Sequence, residues 1–378
     1  MNEATREVQS TTSEVLYLAC ELSEEKWRLG FSIGMAQSPR EREIRSRDIA
    51  ALRREIGLAK RRFGLSETAT VKSCYEAGRD GFWLHRCLEA EGVENLVVDS
   101  ASIEVNRRAK RVKTDRLDVN KLVAMLIRHH GGEKKIWSVV NVPSAEAEDM
   151  RHLHRQLNTL KKQRTRYILR IKSLLVTQGV KLSVGPQFLD ELAKARLWDG
   201  SPIPPRLHKR LVREYRLKQQ IDAEIKELEQ ERREQIRTSD HPSVAMVRGL
   251  MKLKGIGENS AWLFVMEMFG WRDIRNRRQI GGLAGLTPTP YQSGGEMRDQ
   301  GISKAGNTLL RSMAVEIAWG WLRYQPDSYL TLWYQRKYGR GSKRARKVGI
   351  VALARKLLVA LHKLLAHGVV PEGAQLMS

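Results

Sequence analysis

The stretch VLYLACELSEEKWRLGFSI, residues 15–33, decides the fold of the N-terminal part of the chain. Val15–Leu22 is mostly apolar, Ser23–Lys26 has the polar composition of a turn, and Trp27–Ile33 is mostly apolar again. Two apolar runs of strand length that flank a short polar turn predict a β-hairpin. We therefore expect the N-terminal domain to be built around these two strands.

The residues that follow predict further strands and helices in alternation. A third strand fits Glu41–Ser46, and a helix fits Asp48–Arg62 with Asp48 as its N-cap. The remaining predictions are a strand at Thr68–Tyr75, a helix at Gly81–Glu91, a strand at Asn95–Val98 and a helix from Thr114. This order, β-β-β-α-β-α-β-α, is that of ribonuclease-H-like nucleases. An α/β domain of this class is expected over residues 1–143.

Four acids fall on the elements where such a nuclease needs them. Glu21 lies in the first strand, Glu76 at the end of the fourth, and Asp115 and Asp118 on the last helix. Residues three apart share a helix face, so the two aspartates can point at the sheet together. Clustered carboxylates are the oxygen ligands that Mg²⁺ prefers, and two such ions can activate an attacking oxygen and stabilise a leaving one.

Each acid also has an ordinary structural interpretation. Thr114-Asp115 has the composition of a helix N-cap, and Glu76-Ala77-Gly78 that of a turn at a strand end. Taken singly, these interpretations are the commoner ones. The placement of all four acids on the expected elements favours a metal site for the set.

The middle of the chain, residues 144–240, predicts two long helices. One begins near Ser144 and ends before Gly179, and the second covers Arg206–Arg237. Both carry a thin apolar stripe among many charges, which predicts an antiparallel pair or an intermolecular coiled coil. Basic residues on the first helix either contact phosphate or form a solvated face: Lys161, Lys162, Arg164, Arg166, Arg170 and Lys172. His152 and His154 are interpreted as surface histidines.

Composition points to a nucleic-acid partner. The 378-residue chain has a formal net charge of +24, with Lys and Arg spread along its whole length. No apolar run approaches the ~20 residues of a membrane-spanning helix. The polar N-terminus does not resemble a signal peptide, and three cysteines without CxxC spacing indicate neither a disulfide framework nor a zinc site. A cytoplasmic protein is expected.

The C-terminal part, residues 241–378, holds two candidate phosphate contacts. Lys254-Gly255-Ile256-Gly257 precedes an apolar run, as in a helix-hairpin-helix element that grips a DNA backbone, although an ordinary helix–helix turn has the same pattern. The basic segment Arg336–Arg346 is also expected to lie on nucleic acid. Helices are predicted at Asn307–Tyr324 and Lys347–Leu365.

Ser293 is the candidate nucleophile. It lies in Tyr291-Gln292-Ser293-Gly294-Gly295, after Thr287-Pro288 and Thr289-Pro290, so an exposed loop is expected. A polar turn serine is the ordinary interpretation. Further candidate phosphate contacts are Arg298, Lys304, Asn307 and Arg311, which follow Ser293, and Lys113 and Arg116, which lie beside the two aspartates.

Taken in order, these motifs resemble one family. The spaced acids Glu21, Glu76 (in YEAG) and Asp115/Asp118 (in KTDRLD), together with KGIG, GLAGLTPTPYQSGG and ISKAGN, resemble the DEDD transposases of the insertion-sequence "one-ten" family, and in particular its "eleven-eleven" branch. The resemblance runs from about residue 15 to 365. One residue departs from the pattern, because Glu21 stands where that family has Asp, which extends its carboxylate by one methylene.

The resemblance implies an RNA-guided recombinase. In that family the N-terminal domain is RuvC-like, a helical coiled-coil segment follows, and a mainly helical C-terminal domain supplies a nucleophilic serine. It implies that Ser293 is the nucleophile and that the four acids bind Mg²⁺. The implied partners are donor and target DNA, a structured guide (bridge) RNA and further copies of the chain in a dimer or tetramer, with each site shared between protomers. Two alternatives stay open: a metal-dependent nuclease of junction-resolvase type in which Ser293 is structural, and a non-catalytic nucleic-acid-binding protein.

Overall fold

The computed structural model describes residues 14–103, 115–293 and 296–377, with the backbone alone for residues 115–118, 291–293 and 296–299. The chain divides into two compact units, residues 1–142 and 143–378. No helix among these residues is long and apolar enough to cross a membrane.

The first unit is built on a five-stranded mixed sheet. The strands are β1 (Val15–Leu22), β2 (Lys26–Ser32), β3 (Arg40–Arg45), β4 (Thr70–Glu76) and β5 (Glu94–Val98). Their order across the sheet is β3-β2-β1-β4-β5. The first three pair antiparallel, while β4 and β5 join β1 in parallel. The predicted hairpin is confirmed, with Cys20 opposite Leu29.

Helices cover the two faces of this sheet. They are α1 (Ile49–Arg62), α2 (Trp83–Ala90) and α3 (Asp115–His130). Alternate residues of β1 point to opposite faces. Leu16 and Leu18 therefore pack in the core with α1 and α2, whereas Ala19 packs in the core with α3.

Local chemistry explains where these helices begin and how they pack. Asp48 is the N-cap of α1, as predicted, because its carboxylate accepts a hydrogen bond from the Ala51 amide at 2.8 Å. A side chain at Gly30 would come within 3.0 Å of Val123 and 3.4 Å of Val119. Gly30 therefore lets α3 lie directly on the sheet.

The second unit begins with four helices, two of which are long and form a pair. The helices are α4 (Ala145–Asp149), α5 (His152–Val176), α6 (Phe188–Lys194) and α7 (Pro205–Thr238), and the pair is α5 and α7. The predicted start at Ser144 is confirmed, since its hydroxyl caps α4. However, the predicted single helix is broken between Asp149 and His152, so α4 is a separate turn.

α5 and α7 pack against each other within one chain. Ion pairs join Lys161 to Glu229 and Arg170 to Glu214, so residues later in α5 meet residues earlier in α7. The pair is therefore antiparallel, which was one of the two predicted arrangements. Apolar clusters lie at both ends, one around Leu153 and Ile225 and the other around Ile171, Leu211 and Tyr215.

The rest of the second unit is a helical core with one hairpin. Its elements are α8 (Pro242–Met251), α9 (Glu258–Phe264), a π-helical turn (Val265–Phe269), α10 (Arg277–Leu283), β6 (Pro288–Ser293), β7 (Glu296–Ile302), α11 (Thr308–Tyr324), α12 (Tyr329–Tyr334), a second π-helical turn (Gln335–Gly339) and α13 (Lys343–His367). Trp262 and Trp321 are fully buried in this core, together with Leu353 of α13.

Candidate functional site

Glu21 and Glu76 lie side by side at one end of the sheet. Cys20 of β1 pairs with Tyr75 of β4, and each glutamate is the next residue of its strand. Since side chains alternate along a strand, the two glutamates share the face of Ala19 and Cys74. That is the face on which α3 packs.

The N-terminal end of α3 lies at the same end of the sheet. His130, its last residue, packs beside Tyr17 near the start of β1, with ring centroids 6.1 Å apart. The helix therefore runs back from Asp115 at the Glu21 end of the strand. By helical periodicity, positions 115 and 118 fall on the side of the buried residues Val119 and Leu122.

Not every acid of the predicted set can be placed in full. Glu21 and Glu76 have described side chains, whereas Asp115, Asp118 and the neighbouring Arg116 are described at the backbone alone, and Lys113 lies outside the described residues. Among described side chains, no three His, Cys, Asp or Glu residues form a group able to hold a metal ion. Two adjacent carboxylates are nonetheless a donor pair that suits Mg²⁺.

A small cavity of about 170 Å³ opens beside Glu21, with Arg28, Lys26 and Glu43 in its wall. Lys26 lies 2.6 Å from Glu43, and Arg28 lies 3.6 Å from the same carboxylate. The hydrogen bond from Lys26 lowers the pKa of Glu43. Both cations of β2 in this wall are therefore ion-paired with Glu43 of β3.

Ser293 lies at the tip of a β-hairpin, so the prediction of an irregular loop is wrong. It is the last residue of β6 and pairs with Glu296 of β7 across Gly294-Gly295. Pro288 and Pro290 do not prevent the strand, since each strand of a two-stranded ribbon has a free edge where no donor is needed. The register shifts between these two prolines.

Two glycines hold the base of this hairpin against α11. Gly285 has a φ of 64°, and a Cβ there would meet the Gly306 amide nitrogen at 2.7 Å. A Cβ at Gly306 would in turn collide with Gly285 N and Leu283 O. The AGL and KAGN motifs are therefore explained by a close crossing of two backbone segments.

The cations after Ser293 differ in what they contact. Arg311 donates through Nη1 to the carbonyls of Lys304 (3.1 Å) and Ala284 (3.4 Å), so its guanidinium ties the hairpin base together. Lys304 is exposed and has a φ of 56°. Arg298 is described at the backbone alone, opposite Tyr291.

A buried carboxylate, Glu267, supports the same region. Its Oε1 accepts hydrogen bonds from His154 Nε2 at 2.8 Å and Arg155 Nε at 2.7 Å. Its Oε2 accepts from Arg155 Nη2 and from Asn307 Nδ2, both at 2.9 Å. Burial tends to raise the pKa of Glu267, but the bonds from His154 and Arg155 outweigh it and lower the pKa to about 2.

This network corrects one expectation and gives Asn307 a structural role. His154 is buried with an acid partner and is no surface histidine. Asn307 is the N-cap of α11, accepting from the Leu309 and Leu310 amides while donating to Glu267, so its amide is used by the fold. The π-helical turn that carries Glu267 is a type of irregularity often retained at functional sites.

Further cations surround this carboxylate. Arg151 and Arg272 both lie over the Trp271 ring, with guanidinium carbons 5.0 and 4.0 Å from its centroid. Burial lowers the pKa of Arg272 to about 10, assisted by the charge of Arg151. The carboxylate of Glu267 is the acid that offsets this positive cluster.

Comparison with known proteins identifies the family. Residues 247–331, which hold Glu267, the hairpin and Asn307, match the model of the transposase IS116/IS110/IS902 family. A protein of Sinorhizobium fredii (strain NBRC 101917 / NGR234) named "Putative transposase y4rJ" is 39% identical over 376 residues, covering 95% of this chain and 94% of that protein. The chain belongs to this transposase family.

Two relatives named for insertion sequences match over about half their length. The transposase for insertion sequence element IS1328 of Yersinia enterocolitica is 26% identical over 46% of this chain and 50% of that protein. The transposase for insertion sequence element IS1111A of Coxiella burnetii (strain RSA 493 / Nine Mile phase I) is 25% identical over 48% of this chain and 49% of that protein.

In this transposase the KGIG segment is a turn between α8 and α9, and hydrogen bonds within the chain fix its position. Lys254 N donates to Gln375 O at 3.1 Å, and Lys254 O accepts from Gln325 Nε2 at 2.8 Å. Gly255 has a φ of 92° and packs against Tyr324, while Gly257 is the N-cap of α9. The glycines are thus explained by backbone geometry, and phosphate binding at this turn stays a prediction.

The basic residues of α5 fall into two groups. Lys161, Arg164 and Arg170 form ion pairs with Glu229, Asp222 and Glu214 of α7. Lys162, Arg166 and Lys172 are exposed. Half of these cations therefore pair with acids of the helical pair, and phosphate contact by any of the six stays a prediction.

Proposed function

We propose that this transposase is an RNA-guided DNA recombinase that cuts and rejoins DNA through a covalent phosphoserine intermediate. The observation that carries the proposal is the placement of Glu21 and Glu76 on adjacent strands, beneath the end of α3 where Asp115 and Asp118 lie. Family membership supports DNA as the substrate. The element order of the first unit supports a RuvC-like, ribonuclease-H-like fold.

The finer assignments belong to the same proposal. Residues 1–143 form the acidic catalytic domain, 144–240 a coiled-coil segment and 241–378 the domain that supplies the serine. The chain acts in the cytoplasm on donor and target DNA, with a bridge RNA, as a dimer or tetramer of the "eleven-eleven" branch.

The chemistry assigns a role to each side chain. Ser293 Oγ attacks the scissile phosphorus; as the Oγ–P bond forms, the P–O bond to the leaving strand breaks, and the departing oxygen takes up a proton. Mg²⁺ held by Glu21, Glu76, Asp115 and Asp118 would polarise the phosphate and assist deprotonation of the serine. Arg298 and Lys304 offset the developing negative charge. Since the phosphodiester energy is kept in the adduct, rejoining needs no external energy source.

A denaturing-gel assay tests the proposal. The full chain, with the RNA that copurifies with it, is incubated with end-labelled DNA and Mg²⁺, and the protein–DNA adduct is measured. We expect Ser293→Ala to abolish the adduct and Glu76→Gln to reduce it strongly. Ser303→Ala, an exposed serine beyond the end of β7, is the matched control and should retain it.

The outcomes separate the alternatives. Cleavage by Ser293→Ala with free 5′-phosphate ends and no adduct would instead identify a metal-dependent nuclease in which water is the nucleophile. Binding without strand cutting by the wild type would identify a non-catalytic nucleic-acid-binding protein. Sequencing of the copurified RNA tests guidance, because a guide is a single defined species whereas adventitious RNA is a random cellular mixture.

A further inference from the structure

A large groove in the second unit is lined by cations and apolar groups. It has a volume of about 1050 Å³ and lies between the base of the hairpin, at Pro288 and Ile302, and one side of α13. Seven Lys or Arg residues line it, and none of its described lining residues is acidic, hydroxyl-bearing, amide-bearing or aromatic. Its lining is therefore positive at the rim and apolar at the floor.

The sequence of α13 produces this arrangement. Residues four apart lie along one side of a helix, and the groove side reads Lys343, Lys347, Val351, Arg355 and then Val359 and Lys363. From Lys347 to Lys363, cations thus alternate with valines. From the first lysine to the last, the stripe is about 30 Å long at 1.5 Å per residue.

These cations are available for a ligand. Among the described residues, none of the seven is in a salt bridge, and Lys343, Lys347 and Lys363 are exposed. Lys356 does lie over the Trp333 ring, 4.7 Å from its centroid. Unpaired cations this close together repel one another, so a polyanion along the groove would relieve that repulsion.

We infer that this groove holds the sugar–phosphate backbone of one strand of duplex DNA, without reading its sequence. The cations would offset phosphate charge, and the apolar side chains between them would contact sugars. A backbone with unpaired bases would call for aromatic side chains on which bases stack, and the described lining has none. The inference rests on the proposed function in taking DNA as the substrate, and it adds where that DNA lies.

The lining also favours DNA over RNA. A ribose 2′-hydroxyl is a donor as well as an acceptor, and proteins that recognise RNA duplexes use contacts to it. The described side chains of this groove include no hydrogen-bond acceptor for that hydroxyl, and Val351 and Val359 offer it only apolar contact. Deoxyribose has no such group, so it suits an apolar floor.

Binding of a labelled 30-base-pair DNA of arbitrary sequence, measured by anisotropy in EDTA, tests the inference. The triple variant Lys343→Gln/Lys347→Gln/Lys363→Gln should weaken binding at least about 10-fold at 0.15 M salt and lower the slope of log K against log salt by roughly 2 to 3. Lys209→Gln/Arg213→Gln/Arg216→Gln removes the same charge from exposed positions of α7 and should change binding less than about 3-fold.

A second pair of variants tests the groove without removing a cation. Val348→Glu places an acid in the groove at a position that is 49% exposed, and Leu217→Glu places one on α7 at a position that is 43% exposed. Val348→Glu should weaken DNA binding about 10-fold through repulsion of phosphate, and Leu217→Glu should leave it nearly unchanged. Circular dichroism confirms that each variant is folded.

Three outcomes would overturn the inference. Equal loss with both triple variants would mean that overall charge alone attracts DNA. If the groove variants weaken binding of a duplex RNA of the same sequence as much as they weaken binding of the DNA, the groove has no preference for deoxyribose. Unchanged DNA binding with a smaller oligomer in sedimentation would assign the groove to a second copy of the chain. The binding assay involves no strand cutting, so a negative result in it does not contradict the phosphoserine proposal. Likewise, a missing protein–DNA adduct does not contradict the assignment of this groove to DNA.

Discussion

At the scale of single residues, Glu267 links three separate parts of the second unit. Its carboxylate joins His154 and Arg155 of α5 to Asn307, which caps α11 at the base of the Ser293 hairpin. The side chain of Glu267 is 2% exposed. A charge this buried is tolerated because three residues give it four hydrogen bonds.

We predict that Glu267→Gln destabilises the chain by about 3 kcal/mol, because it leaves the cations of the cluster without their acid. Urea unfolding followed by far-ultraviolet circular dichroism measures this. Glu234→Gln is the matched control: it removes the partner of Arg237 from an exposed i,i+3 pair and should cost less than about 0.5 kcal/mol. Equal effects of the two substitutions would contradict the role given to Glu267.

The pH dependence follows from the same carboxylate. Its pKa is lowered in the folded chain to about 2, so the stability it contributes is present above its unfolded pKa and is lost as the pH falls towards 2. Wild-type stability should therefore fall between about pH 4.5 and pH 2 more steeply than that of Glu267→Gln. Parallel curves for the two proteins would argue against an ionised Glu267.

The sequence predicts residues whose partners are close along the chain. Asp48 was recognisable as an N-cap and Ser144 as a helix start, and each bonds an amide three residues away. His154 was not recognisable, since its partner Glu267 lies 113 residues later. Arg311 and Asn307 were expected to bind phosphate, yet their polar groups also hold backbone and side chains that no local pattern reveals.

At the scale of elements, apolar periodicity predicts the sheet and the long helices. It does not predict close backbone crossings such as that of Gly285 and Gly306. β1, β2, β4 and β5 lie within about two residues of their predicted positions, because apolar residues between turns mark each of them. The β6–β7 hairpin was missed because Pro288 and Pro290 are unfavourable in most strands. A two-stranded ribbon accepts them.

The helical pair gives a prediction at this scale. Leu211 of α7 is fully buried in the cluster around Phe188 and Tyr215, whereas Leu217 is 43% exposed. Leu211→Ala should cost about 2–5 kcal/mol and speed amide hydrogen exchange in α5, α6 and α7 at least about 10-fold. Leu217→Ala should change exchange little. Similar exchange in the two variants would mean that this cluster does not hold the pair together.

At the scale of the whole molecule, the proposed acids and nucleophile are in different units. Glu21 and Glu76 lie in residues 1–142, and Ser293 lies in residues 143–378. Residues 277–311 contain no histidine, so we expect the metal site to assist deprotonation of Ser293. The proposed oligomer provides a route, in which the acids of one protomer serve the serine of another.

Mixing two inactive variants tests such a shared site. Ser293→Ala keeps the acids and Glu76→Gln keeps the serine, so alone the first should form no protein–DNA adduct and the second very little. After subunits exchange at a 1:1 ratio, chance pairing across a symmetric interface gives both intact parts to roughly a quarter of the sites. We therefore expect adduct formation to return to about that fraction of wild type on a denaturing gel. A site made within one chain cannot be rebuilt by mixing, so a mixture as inactive as its components would place Ser293 and the acids of each site in the same protomer.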